Sequence, residues 1–512
     1  MTISPNGSSY VSYIGWPAAA GITIPRPAYL VRKPDEHGTG KVGMSATIHA
    51  RLRCSIGRRL LPILLLSSAD TWSQPAPIPR DVVPFQATSG VFDGQLLAVV
   101  ADTRVVRVAN APWLQLHFKA YELGAESFIT VTSIADGGVQ TLNARTLAQW
   151  RSSSAYFNGD AVKITLHPAP GDKGVFYTLD NLVVGAKAAP PTTELLGPMA
   201  LCGNDHRVHS NDPRSGRIFP VGCTGWLVST GAVLTAGHCT TTLSDLAILQ
   251  FNVPASAPDG TIRQPQPKDQ YAINALSAVG ANSYGDDWAI FTTYANATTG
   301  LFPAPAQKSF FRMTADLLTF GTGASQVQVT GYGVDKTPPG VNGGSNAQSQ
   351  TEQTDVGPFL GEDVINGHEV LIKYRVNTTG GNSGSPVIYP GTDITIGIHT
   401  SGGCSAQPGT SNSGTGFKNT KLEGALQSFQ TTSAQQVTFV DGGHASGIVE
   451  NGTVFKPYRS LEDAITHAAH GDIVSMTSGF YAGWGITFPK GMPLTLRATA
   501  GPVGIGASPR PK

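Results

Sequence analysis

Between residues 76 and 185 apolar and polar side chains alternate with a period of two. In PWLQLHF, Leu114, Leu116 and Phe118 are interleaved with Trp113, Gln115 and His117. In AVKITLH, Val162, Ile164 and Leu166 are interleaved with Lys163 and Thr165, and FITVTSI repeats the pattern. Gly-rich turns such as ADGG and FNGD separate these runs. Strand side chains point alternately to opposite faces, so this pattern predicts half-buried antiparallel sheets and a β-sandwich over 76–185.

The alternation stops at GAKAAPPTTELLGP, and 186–199 reads as an exposed linker of the kind that proteases nick. Short apolar runs between turns resume over 200–432. From 437 the pattern changes again. Ser460 and Asp463 form a helix-start signature, and Leu461, Ala464, Ile465 and Ala468 make one apolar helical stripe. Short strands are predicted in DIVSM, GITF and LTLRA. The 512 residues exceed what one core usually organises, and an all-β, multidomain chain follows.

Composition narrows the functional classes. A net charge of +1 with 13% charged residues leaves no electrostatic footprint for nucleic acid or an anionic membrane. The 60 glycines and 36 prolines suit a turn-rich β protein. Arg51, Arg53, Arg58 and Arg59 precede the apolar run LLPILLL, followed by the small residues Ser67 and Ala69. That is the layout of a secretory signal at 44–69, too short to span a bilayer, and 1–43 then reads as a misplaced start or an unexplained extension. Of five cysteines, Cys54 falls in the signal. The other four allow three pairings. Cys223 and Cys239 lie on successive strand-like runs, so a local bridge Cys223–Cys239 is expected, which leaves Cys202–Cys404. Disulfides imply an oxidising compartment, hence a secreted, extracellular protein.

Three segments carry candidate chemistry. LTAGHC places His238 directly after a strand, beside a cysteine expected to hold it rigidly, as a general base requires. YGDDWAIF places Asp287 at the start of an apolar strand, where its carboxylate can fix an imidazole; Asp286 is the weaker alternative. TTGGNSGSPVI surrounds Ser383 with glycines, so that the N–H groups of Gly381 and Ser383 can converge into an oxyanion hole. No zinc-type spacing is present, and neither a metal nor an organic cofactor is expected.

These motifs, in the order His, Asp, Ser with separations of 49 and 96 residues, together with the cysteine pair, resemble the chymotrypsin-like serine proteases across 200–432. The resemblance implies two six-stranded β-barrels with His238 and Asp287 on the first, Ser383 on the second, and an acyl-enzyme on Ser383. The fold class expected is therefore a two-barrel protease domain preceded by a β-sandwich. The segment 437–512 resembles the opening of a right-handed parallel β-helix, with room for about two rungs, fewer than the roughly three repeats a solenoid needs. It either docks on the protease or opens a longer solenoid.

TTGGNSGSP, and more weakly GNDHRVHS at 203–210, resemble the bacterial glutamyl endopeptidases. Asn382 stands where vertebrate digestive enzymes carry the aspartate that pairs with a freshly cut N-terminus. Asn377 stands where trypsin-like enzymes carry the aspartate that selects Lys or Arg. Thr378 and His399 match the residues that bind a P1 carboxylate, and Thr400–Gly402 would pair with substrate as an added strand. Protein or peptide substrates cut after Glu are expected, with small or apolar P1 as the alternative. The sandwich reads as a pro-domain, making the chain a zymogen, or as a module for a glycan or protein surface. A different class of reading is an extracellular binding protein with a silent protease fold.

Overall fold

The computed structural model describes residues 75–96, 100–186, 200–241, 247–317, 325–335, 346–429, 436–444, 449–469, 471–482 and 494–506. The expected extension, the signal and the linker from 187 to 199 lie outside these residues, as does the strand predicted in GITF.

The alternating region forms two four-stranded antiparallel sheets. One orders Arg80–Thr88, Phe176–Gly185, Trp113–Glu122 and Phe157–Asn158; the other orders Asp102–Arg107, Ala161–His167, Phe128–Ser133 and Val139–Leu142. Leu114, Leu116 and Phe118 share one core with Val162, Ile164 and Leu166. The prediction fails at Trp113 and Gln115, which are buried although alternation turns them outward. Trp113 packs edge-on against Phe219 of the following domain, ring centroids 5.4 Å apart, and Gln115 donates to the Ser154 carbonyl at 2.7 Å. Period-two patterning records the pleat, and it carries no information about what covers the second face.

This contact belongs to a continuous seam. Tyr156 lies 4.4 Å from the Phe219 ring, and Ile248 and Ala272 join the same apolar cluster as the sandwich core. The Gln270 carboxamide closes the seam from inside: Nε2 donates to the Tyr156 carbonyl at 2.7 Å, and Oε1 accepts the Tyr156 N–H at 3.0 Å. Asn158 exchanges the same pair of bonds with the backbone of Gln264.

Two six-stranded barrels follow. The first comprises β1 (Ser215–Phe219), β2 (Cys223–Leu227), β3 (Val233–Thr235), β4 (Ile248–Gln250), β5 (Gln270–Ser283) and β6 (Asp286–Thr293), closed in the order β1-β2-β3-β6-β5-β4. The second comprises β7 (Gln326–Gly331), β8 (Gln353–Asn366), β9 (Glu369–Tyr374), β10 (Pro386–Ile388), β11 (Ile394–Ser401) and β12 (Asn412–Gly416). Its order is β11-β10-β7-β8-β9-β12, and the β11–β12 pairing closes the ring. All pairings within both rings are antiparallel. The chain is thus an all-β protein with the two-barrel architecture of chymotrypsin-like proteases.

Helix α1 (Thr420–Ser428) leads from the second barrel to the C-terminal segment. There Val437–Val440, Ile473–Met476 and Thr495–Ala498 form a parallel three-stranded sheet, and Gly479–Ala482 pairs in parallel with Val503–Gly506. Ser460 caps the helix Leu461–His467 by accepting the Asp463 N–H, and Leu461, Ala464 and Ile465 are buried. The segment docks on the two barrels. Arg312 bridges Asp393 and Asp441, Thr499 donates to the Ser229 carbonyl at 2.7 Å, and Phe455 stacks on Phe417. Among the described residues no helix is long and apolar enough to cross a membrane.

Candidate active site

His238 stands on a single 3-10 turn, Gly237–Thr240, that follows β3. The turn sits on the β5–β6 hairpin so closely that a Cβ on Gly237 would lie 1.7 Å from the Ala281 carbonyl oxygen, which restricts this position to glycine. Cys239 is bonded to Cys223 on β2, pinning the turn from its other side. Cys202 is bonded to Cys404. The His238 imidazole and the sulfurs of Cys223 and Cys239 lie within 4.8 Å of one another, but the sulfurs are joined in the disulfide and supply no thiolate for a metal.

Asp287 reaches His238 at two points. Oδ1 accepts the His238 backbone N–H at 2.9 Å, and Oδ2 lies 2.6 Å from Nδ1. The Asp287 side chain is 2% exposed and the imidazole 10%, so this contact is shielded from water on the carboxylate side. The neighbouring aspartate has a different task. Asp286 accepts from Trp288 Nε1 at 2.6 Å, Asn419 Nδ2 at 2.9 Å and Lys421 Nζ at 2.8 Å, tying α1 to β6. Burial pushes its carboxyl up, and these three donors together hold it below the usual value.

Ser383 is fully buried in the loop between β9 and β10. Its carbonyl accepts the Thr224 N–H at 2.9 Å and lies 3.7 Å from Cys239 Sγ, one residue past His238. Thr224 Oγ1 donates to the Gly381 carbonyl at 3.0 Å, and Trp226 Nε1 donates to that of Gly384 at 3.0 Å. Strand β2 of the first barrel therefore holds the serine loop of the second against the histidine turn. The N–H groups of Asn382, Gly384 and Ser385 are spent on Thr379, His399 and Asn382. Gly381 adopts φ +100°, a conformation that side chains resist, so its neighbours can turn tightly around Ser383.

Thr415 on β12 locks the two barrels together at Asp287. Its hydroxyl accepts the Asp287 N–H and donates to the Asp287 carbonyl, both at 3.0 Å. Sequence reasoning missed Thr224, Trp226 and Thr415, because each acts across the barrels on a residue distant in the chain.

Thr378 and His399 are both fully buried. Thr378 Oγ1 accepts Asn412 Nδ2 at 3.0 Å, leaving its own hydrogen to donate elsewhere. His399 Nδ1 lies 2.6 Å from the Tyr374 hydroxyl. Burial first, and the nearby His238 second, push the His399 imidazole down to about 3, so it is neutral at ordinary pH. One nitrogen faces Tyr374 and the neutral ring carries a single hydrogen, so His399 can offer a ligand at most one N–H donor. Thr400 forms a bulge between the paired residues His399 and Ser401, and Gly402 lies just beyond β11. Asn377 is drawn away from a ligand, since its carboxamide accepts the Cys202 N–H at 2.8 Å and donates to the Asn204 carbonyl at 2.8 Å.

Residues 207–420 match the family model described as Trypsin. No match was found among curated proteins. Among solved structures the chain is similar to a thermostable serine protease, AL20, from an extremophilic microorganism, at 15% identity and a TM-score of 0.29, over 41% of this chain and 94% of that one. It is also similar to the HtrA-type protease AlgW with a decapeptide, at 15% identity and a TM-score of 0.26, over 40% of this chain and 52% of that one.

Proposed function

We propose that the trypsin-like serine protease domain carried by residues 207–420 is an active, secreted endopeptidase that forms its acyl-enzyme on Ser383 and prefers glutamate at P1. The observation that carries this reading is the two-point hold of Asp287 on His238. A carboxylate behind Nδ1 orients the ring and stabilises the imidazolium, so that Nε2 serves as the base. His238 takes the Ser383 proton as Oγ attacks the peptide carbonyl and returns it to the leaving amine. Gly381 and Ser383 N–H groups receive the oxyanion, and water releases the acyl group. No residue in this sequence of steps calls for a metal or an organic cofactor.

The glutamate preference rests on Thr378 and His399. A carboxylate entering a buried pocket must recover the hydrogen bonds that it gives up in water. The Thr378 hydroxyl, already accepting from Asn412, and one His399 nitrogen are suited to supply them. A second reading, small or apolar P1, is favoured by one observation: with His399 neutral, the pocket carries no counter-charge there.

Hydrolysis of peptides differing only at P1 (Glu, Gln, Ala, Phe, Arg) separates these readings. Cleavage lost in Ser383→Ala is expected. His399→Ala is expected to reduce kcat/KM for the Glu peptide by about 10–100-fold, the loss of one hydrogen bond to a charged group, while sparing Ala. Equal cleavage of Ala and Phe with poor use of Glu would replace the glutamate reading by the second. An inert wild-type protein would instead favour a silent binding module.

A further inference from the structure

The Tyr374 hydroxyl stands between two groups, His399 Nδ1 at 2.6 Å and the Ser413 carbonyl at 3.3 Å. It has one hydrogen, so it donates to one of them. Given to Ser413, it would accept from an Nδ1–H, and His399 Nε2 would carry a lone pair. Given to Nδ1, it leaves the single imidazole hydrogen on Nε2. The 3.3 Å to the Ser413 carbonyl is long for an O–H···O bond, and that favours the second arrangement. His399 Nε2 is itself buried and has no hydrogen-bond partner among the described residues. A buried polar atom left unmatched inside a fold is costly, and at a binding site it marks a position that a ligand completes.

We infer that Tyr374 is a positioning residue for specificity, holding His399 in its Nε2–H tautomer so that the pocket distinguishes a P1 glutamate from a P1 glutamine. This inference rests on the assignment of His399 and Thr378 to the P1 pocket. Two oxygens of a carboxylate match two donors, Nε2–H and the Thr378 hydroxyl. A glutamine presents one oxygen and one NH2 group, and the NH2 group would confront a donor. With the tautomer released, Nε2 can turn acceptor and glutamine becomes acceptable. Selection between two side chains of the same shape then depends on one hydrogen held by a tyrosine outside the serine loop.

The test is Tyr374→Phe, assayed on paired Glu and Gln peptides, with the His399 tautomer read by 15N NMR in both proteins. The ratio of kcat/KM for Glu over Gln is expected to fall at least tenfold, through KM, with kcat and cleavage of an Ala peptide within about twofold of wild type. A purely structural role would lower all three peptides together, and that result would overturn the inference. So would an unchanged ratio in a folded variant. If the variant does not fold, the wild-type spectrum decides: hydrogen on Nδ1 overturns the assignment and hydrogen on Nε2 supports it. A wild-type enzyme that ignores Glu sinks the glutamate reading, while the tautomer still reports whether Tyr374 controls His399.

Discussion

His238 and His399 both belong to the proposed site, and each has Nδ1 2.6 Å from an oxygen. Their surroundings diverge from there. Behind His238 is a carboxylate, and the ring keeps some access to solvent. Behind His399 is a phenol, and the ring is fully enclosed. A carboxylate orients the ring it faces and leaves Nε2 to exchange a proton, whereas a neutral hydroxyl in a dry interior keeps its ring uncharged. The same side chain is thereby suited to be a proton carrier in one place and a fixed neutral donor in the other. The partner behind Nδ1, not the histidine, assigns the role.

Removing the anion breaks the comparison most severely. Asp287→Asn keeps the shape and takes away the charge, and kcat is expected to drop by about 10⁴-fold with little change in KM, measured by steady-state kinetics. A loss below tenfold would mean that His238 does not work as the base.

Glu352 extends the comparison to a buried carboxyl group with no ion-pair partner among the described residues. It accepts the Asp212 N–H at 2.6 Å, and burial above all pushes it from 4.5 up to about 7. The folded state therefore holds this proton after the unfolded chain has lost it. The contribution of Glu352 to stability is expected to be full below pH 4.5, to fall as pH rises towards about 7, and to level off above. Glu352→Gln should flatten that fall and stabilise the protein at pH 8 by up to about 3 kcal/mol, at about 1.4 kcal/mol per unit. Urea unfolding at pH 5 and pH 8 checks the sign; an equal midpoint difference at both would show that Glu352 is already ionised.

The smallest effect sharpens how the anion is held. Thr415→Val removes both bonds that fasten Asp287 to the second barrel. Stability is expected to decrease by about 1–3 kcal/mol and kcat by about tenfold. Thermal unfolding and kinetics on the same sample separate the two, and an unchanged kcat would show that the disulfide-pinned turn orients Asp287 unaided.

Much of this site was legible in the chain. His238 after a strand, Asp287 leading an apolar run and Ser383 among glycines are local signals, each written within about ten residues. Asp287 was preferred to Asp286 because it leads directly into the apolar run; alternation along β6 adds that only one of the two neighbours can face the histidine turn. Asn377 was legible as lacking a charge, but not as a staple for residues 202–204. Trp113 and Gln115 were read as outward-facing, and the covering partner, Phe219, stands 106 residues from Trp113.

By itself the sequence determined the strands, their buried faces, the turns that need glycine and the residue types at the reacting centre, because pleat periodicity and backbone sterics act between near neighbours. Only the tertiary structure decided which oxygen stands behind each histidine. Tyr374 meets His399 through the pairing of β9, β12 and β11, and Thr415 reaches Asp287 across 128 residues. Those contacts exist once two barrels have closed against each other, and closure depends on pairings between distant strands that no local pattern encodes.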